Sequence, residues 1–281
     1  SVLIGKQYEK MQQYIDSQGL KGKEKMIFQA GYKKKCKVPL VVSVILILGV
    51  LLYCKYTNML IDLWNQINGL TGIAKVDTVK LIVPLGISYY TFSSVGYLLD
   101  IYWRKKKYEK SFLNLFVSMS FFPQMVQGPI AHYPKLIEQV KNLKGFEYQR
   151  FCMALQLMLW GYFKKLVIAD RIAVFVNQVF NHIGYYRGLV FVLALMASAV
   201  QLYADFSGCM DIVEGVAELF GITLDKNFDV PFSSKSTAEF WRRWHITLGA
   251  WFKDYVFFPM STASWNIKIS RFFKQKFGTR A

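Results

Sequence analysis

Glu239-Phe240-Trp241-Arg242-Arg243-Trp244-His245-Ile246-Thr247-Leu248-Gly249-Ala250-Trp251-Phe252-Lys253-Asp254-Tyr255 holds one of the three histidines and three of the seven tryptophans of the chain. At about 100° per residue, Trp241, Trp244, His245, Leu248, Phe252 and Tyr255 fall on one helical face. Arg243, Thr247 and Asp254 fall on the other. Ser236, with Glu239 three residues later, supplies a capping-box start. The spacing therefore predicts one helix with an aromatic stripe and a single imidazole in it. Desolvation on such a stripe lowers the pKa of His245 and keeps it neutral at pH 7, able to accept a proton. The plainer alternative is a core histidine satisfied by one backbone carbonyl.

Upstream, Leu189–Tyr203 is apolar over a length that suits a membrane span and runs into Asp205-Phe206-Ser207-Gly208. Ser207, Asp211, Glu214 and Glu218 then recur at i, i+4, i+7 and i+11, on one face. Carboxylates beside apolar surface are costly and so are functional candidates, unless that part of the helix has already reached water. Residues 151–180 read as a long helix interrupted by Lys164-Lys165 and Asp170-Arg171, charges that are either interfacial or paired inside the protein. Phe112–Val126 is a further apolar candidate. Val79–Trp103 is apolar but broken by Pro84-Leu85-Gly86, which predicts a kinked or re-entrant helix. Val38–Cys54 is an apolar run of roughly 25 Å as a helix, near the shortest that spans a bilayer. The lysines of residues 1–37 and of 104–107 flank these runs and place both stretches in the cytoplasm, with 55–78 outside. Residues 1–37 are thus expected to be a basic, amphipathic or irregular cytoplasmic segment, and 38–281 a transmembrane helical domain.

Composition agrees with a membrane protein. The 281 residues are 53% hydrophobic and 17% aromatic, and 35 basic against 18 acidic residues give a net charge of +17. That charge on a soluble chain would point to nucleic acid, but the basic residues border uncharged apolar runs, so nucleic acid is not expected. Cys36, Cys54, Cys152 and Cys209 have no metal-site or disulfide-framework spacing. A thiol nucleophile at Cys209 is a weaker reading than a buried, inert thiol. His132 and His182 sit in loop-like stretches without ligand partners at the spacing zinc needs, and no metal is indicated. No P-loop or Gly-x-Ser-x-Gly elbow occurs. The chain starts at Ser1 and ends on a basic stretch without an obvious stop, as a piece of a longer protein would.

Five blocks resemble the membrane-bound O-acyltransferase (MBOAT) family, in its order and approximate spacing. They are Pro84–Phe92 with Tyr97–Tyr102, Phe121–Gln124 with Gly128–Ile130, Gln201–Gly208 with Asp211 and Gly215, Asn227-Phe228 with Pro231-Phe232, and Phe240–Leu248 with Trp251–Tyr255. The branch is that of the alginate O-acetyltransferases, similar also to the teichoic acid D-alanyl transfer protein. The resemblance implies an all-α, polytopic integral membrane protein with a ring of helices around a thin centre, incomplete here at both ends. It implies a multi-pass protein of a bacterial-type plasma membrane, in contact with lipid. Its reaction would carry an acetyl group from a cytoplasmic thioester such as acetyl-CoA towards a cell-surface polysaccharide, with an extracytoplasmic acetyltransferase as partner and no bound cofactor. The family's central histidine belongs to a later segment, so His245 matches the earlier one, in a supporting role or as the base. Arg242 and Arg243 are candidates for the donor's phosphates, Asp254 for pairing with Arg243 or orienting a polar group, and Asp205 and Asp211 for substrate contacts. Two other readings remain open from the residues: an ion-coupled transporter using Asp205, Asp211, Glu214 and Glu218, and a non-catalytic scaffold for a surface transferase.

Overall fold

The structure is a computed structural model and describes residues 1–68, 75–105, 107–125, 127–130, 133–143 and 145–278. Among them every regular element is helical, with one isolated antiparallel bridge between Phe228 and Trp244. Three helical stretches are long and apolar enough to cross a membrane: Gly22–Asn68, Tyr148–Asn181 and Leu189–Leu219. Only 11% of each apolar window is buried, so most of its side chains face outward, as they must where lipid is the solvent. The chain divides into two compact units, residues 1–126 with 132–141 and residues 127–131 with 142–281.

In the first unit α1 (Val2–Ser17) lies on α2 (Gly22–Asn68) and α3 (Ile87–Tyr102). Ile4, Tyr8, Met11 and Ile15 form one stripe at helical spacing and pack with Cys36, Leu40, Tyr97, Leu98 and Ile101. The amphipathic reading of the N-terminus thus takes the form of a helix, and the boundary expected at residue 37 falls inside α2. α2 also runs on to Asn68 through the stretch read as an outer connection. Beyond it, residues 75–84 are not helical. Their backbone is satisfied from α2 instead: Asn65 exchanges hydrogen bonds with both the N–H and C=O of Val76, and Asn58 does the same with Val79. The kinked helix expected over Val79–Trp103 is therefore corrected. Pro84 ends the non-helical stretch, and α3 begins after Gly86, whose φ of 76° is cheap only without a Cβ. An added Cβ there would also lie 2.9 Å from the carbonyl of Met125.

The apolar run from Phe112 is likewise not one segment. α4 (Phe112–Met119) and α5 (Phe122–Met125) part at Ser120, whose hydroxyl turns back to the Phe116 carbonyl. α6 (Tyr133–Lys141) closes the unit. Glu109 ties it together, accepting from the Ser111 N–H, the Asn114 amide and Lys141. Burial alone would raise its pKa, but these bonds outweigh burial and hold it at about 2.

In the second unit α7 (Tyr148–Tyr162), a π-helical turn (Phe163–Ala169) and α8 (Asp170–Asn181) follow one another without a break. They pack antiparallel to α9 (Leu189–Leu219), since Gly161 meets Gly208, Ala154 meets Gly215 and Arg150 meets Glu218. A Cβ on Gly161 would come 2.5 Å from the Gly208 carbonyl, so these small residues set the approach of the two backbones. After α9, a 3₁₀ turn (Pro231–Ser233) leads to α10 (Thr237–Arg243) and α11 (Ile246–Phe252). A second π turn (Lys253–Phe257), α12 (Phe258–Ser261) and α13 (Ser264–Phe277) complete the unit.

Candidate active site at the break between two helices

The single helix expected over residues 239–255 is two helices. α10 begins as expected: the Ser236 hydroxyl accepts from the Glu239 N–H at 3.2 Å, and the Glu239 carboxylate accepts from the Lys235 N–H at 3.0 Å. It stops at Arg243. Trp244 is extended (φ −101°, ψ 127°) and His245 takes the left-handed conformation (φ 46°, ψ 53°) before α11 starts. That conformation costs a residue with a Cβ about 1–2 kcal/mol, and the surroundings must hold it. They do so through a short antiparallel pairing, in which the Asp229 N–H donates to the Arg243 carbonyl at 3.0 Å and the Ile246 N–H to the Asn227 carbonyl at 2.9 Å. Trp244 fixes the break from the other side, packed among Tyr203, Phe228, Phe232 and Phe240. The hundred-degree projection fails because it counts through this break.

The consequence is that His245 and Thr247, assigned to opposite faces, meet at one acceptor. The Asn227 side chain is 1% exposed. Its Oδ1 accepts from the Thr247 N–H at 3.1 Å and the Thr247 hydroxyl at 2.7 Å, and lies 3.2 Å from His245 Nδ1. A backbone N–H can only donate, so the atom facing Thr247 is the amide oxygen. His245 Nδ1 must then carry the proton, and Nε2 keeps its lone pair. The Thr247 hydroxyl in turn accepts from the Ile130 N–H at 3.2 Å. Phe206, on α9, stands against the imidazole at nearly a right angle, with centroids 4.8 Å apart. Burial lowers the pKa of His245, so the ring is neutral, oriented and basic at Nε2.

The other expected residues separate. Arg243 is held by Glu239 at 2.7 Å and by the Asp229 carbonyl at 3.4 Å, so its pairing with Asp254 is corrected: the nearer carboxylate, one turn away on the same helix, takes it. Asp254 is half-buried in the second π turn, and Arg242 is exposed. On α9, Asp211 pairs with Lys164 at 2.5 Å and Asp205 with Lys165 at 2.7 Å, while Lys164 also donates to the Ser207 hydroxyl. Glu218 pairs with Arg150 at 2.6 Å. Asp205, Asp211 and Glu218 thus meet cations on the neighbouring helical stretch, whereas Glu214 makes no ion pair among the described residues. His182 is exposed, and His132 lies outside the described residues. Sequence reasoning missed Asn227 and Thr247 as site residues. The available signal was Asn227 at the head of a recognised block and Thr247 two residues from the histidine.

The MBOAT, membrane-bound O-acyltransferase family profile matches residues 104–275, which contain the whole of this arrangement. The chain belongs to that family. Among curated relatives, this MBOAT chain is 32% identical over 221 residues to the probable alginate O-acetylase of Pseudomonas aeruginosa, covering 79% of the chain and 42% of the relative. It is 32% identical over 250 residues to the peptidoglycan O-acetyltransferase of Helicobacter pylori, covering 79% and 46%. It is 30% identical over 192 residues to the teichoic acid D-alanyltransferase of Bacillus subtilis, covering 66% and 49%. The chain spans less than half the length of each of these three relatives.

Proposed function

We propose that this chain forms the His245-bearing part of an O-acyltransferase. The full protein would move an acetyl group from a thioester at the cytoplasmic face, such as acetyl-CoA, to a hydroxyl of a cell-surface polysaccharide. The observation that carries this reading is the Asn227 carbonyl, which accepts from Thr247 and leaves His245 a neutral imidazole with Nε2 open. Transfer to an alcohol requires removal of the hydroxyl proton as oxygen attacks the thioester carbonyl. The C–O bond forms, the C–S bond breaks, and the thiol leaves with a proton. A desolvated neutral imidazole is suited to the first event. The acceptor class follows from relatives whose names specify alginate, peptidoglycan and teichoic acid. Delivery through an extracytoplasmic acetyltransferase, and a multi-pass position in a bacterial plasma membrane with residues 21–37 and 104–110 in the cytoplasm, belong to the same proposal. Three of the four carboxylates that ion coupling would require are paired with Lys164, Lys165 and Arg150, which supports transfer over transport.

The test is transfer of labelled acetyl from acetyl-CoA in proteoliposomes of the full-length protein. His245→Gln keeps shape and one hydrogen bond, and should reduce transfer about a hundredfold or more at unchanged membrane abundance. The wild-type rate should hold its plateau to below pH 6.5, the ordinary imidazole value, because burial lowers the pKa of His245. Weaker acetyl-CoA binding with an intact chemical step would instead make His245 a positioning residue. Unchanged transfer would make it a packing residue.

A further inference from the structure

α3 ends in a way that favours glycine and has arginine. The Lys105 N–H donates to the Asp100 carbonyl and the Arg104 N–H to the Ile101 carbonyl, at 2.9 and 3.0 Å. These are the two bonds of a Schellman motif, whose left-handed position normally goes to glycine. Here it is Arg104, at φ 61°. A side chain kept in a conformation that disfavours it calls for a reason in what that side chain reaches. The Arg104 guanidinium lies over the Tyr8 ring, 5.7 Å from its centroid, and donates to the neutral amide of Gln12 at 3.3 Å.

Arg104 and Tyr8 stand between two clefts. The first, of 300 Å³, is walled by Tyr102, Trp103, Lys33 and Gln29 together with that pair. Among the described residues, no carboxylate lines it. Lys33 sits over the Tyr102 ring at 5.6 Å and Lys105 over the Trp103 ring at 4.9 Å. The second, of 520 Å³, adds Lys105, Lys107 and Tyr108, with Glu9 engaged by the Tyr108 hydroxyl at 3.0 Å. Lys33 precedes the apolar run of α2, which begins at Val38, by five residues, about 7 Å along the helix. That is the depth of the polar headgroup layer, where amphipathic aromatic rings also settle.

We propose that the Arg104 cleft binds a phosphate ester at the membrane surface, supplied by the headgroup of an anionic phospholipid. The guanidinium fork and the Lys33 ammonium provide charge and geometry for phosphate oxygens, and the ring walls of Tyr8, Tyr102 and Trp103 take the glycerol and upper acyl carbons. This site is separate from His245, and its occupancy does not depend on the acyl-transfer reading.

The experiment uses full-length protein in neutral detergent, titrated with phosphatidylglycerol, phosphatidylcholine or inorganic phosphate, with bound molecules counted by native mass spectrometry. Wild type should prefer phosphatidylglycerol to phosphatidylcholine by about fivefold or more, the effect of one well-placed cation. Arg104→Gly suits the left-handed backbone, so it should keep or raise the melting temperature while erasing the preference. Lys33→Gln, on a different helix, should weaken it independently, and Arg104→Lys should keep part of it. The proposal is overturned if Arg104→Gly and Lys33→Gln both retain the wild-type preference, or if wild type shows none. Displacement of the lipid by millimolar inorganic phosphate would overturn the lipid as occupant and leave a soluble phosphate compound in its place.

Discussion

The acidic face of α9 and the break before α11 both put polar groups among apolar ones, yet they solve the problem in opposite ways. Along α9, Asp205, Asp211 and Glu218 meet Lys165, Lys164 and Arg150, so each charge has an opposite charge within 2.7 Å. At the break, His245 meets an amide oxygen and a phenyl ring, both neutral. A group whose charge is matched is consumed by structure. A group held by neutral partners, with one nitrogen uncommitted, remains free for chemistry. Phe206 lies where the two arrangements touch, since it belongs to α9 and packs on His245.

The contrast can be broken most severely at Asn227. Asn227→Leu keeps the branched outline but orphans the Thr247 N–H, the Thr247 hydroxyl and the His245 Nδ1–H. At about 1–3 kcal/mol per unsatisfied buried donor, the loss should be about 3 kcal/mol or more. Thermal denaturation in detergent would show it, with transfer lost too, and a normal melting temperature would mean that this amide does not hold the break. On the α9 side, Asp211→Asn strands Lys164 with only the Ser207 hydroxyl and should cost about 2 kcal/mol, below the value for a fully buried pair. The double substitution Lys164→Met with Asp211→Leu should recover most of that loss if the pair is structural. Yield that stays low in the double variant would assign these residues a direct part in binding. The mildest change is Phe206→Ala. Water reaching the imidazole would relieve the desolvation that lowers the His245 pKa, so it should rise towards 6.5. The acid limb of the transfer profile should then move to higher pH, while maximal transfer falls less than in His245→Gln.

Apolar runs made α2 and α9 legible as long apolar helices, but Val79–Trp103 and Phe112–Val126, also apolar, do not each form one helix. The pairing of Lys164 and Lys165 was legible only as one of two options, since a lysine in an apolar helix is either interfacial or matched. The break at Trp244–His245 was not legible from periodicity. No glycine or proline marks it, and it is imposed by Asn227, Asp229 and the rings around Trp244, partners that reach back to Tyr203, 41 residues before Trp244 in sequence. Pro84-Leu85-Gly86 was visible as an interruption, but nothing local reveals that Asn58 and Asn65 can sustain a non-helical stretch before it. The five recognised blocks located the site better than any helical projection did.

The π turn between α7 and α8 has a consequence for what this chain can lose. Within Phe163–Ala169 the backbone closes i to i+5, and Lys165 uses that spacing to reach Asp170 five residues on while also bonding Asp205 on α9, both at 2.7 Å. Its immediate neighbour Lys164 reaches Asp211 on the same helix. Deleting one residue between Lys165 and Asp170 would let an ordinary i-to-i+4 turn close, and because the π turn already holds that residue as an excess, the helix beyond would be turned only slightly. The wider turn has a smaller angle per residue, which brings Lys164 and Lys165, adjacent in sequence, towards the same neighbouring helix, and that is what a shortening would remove.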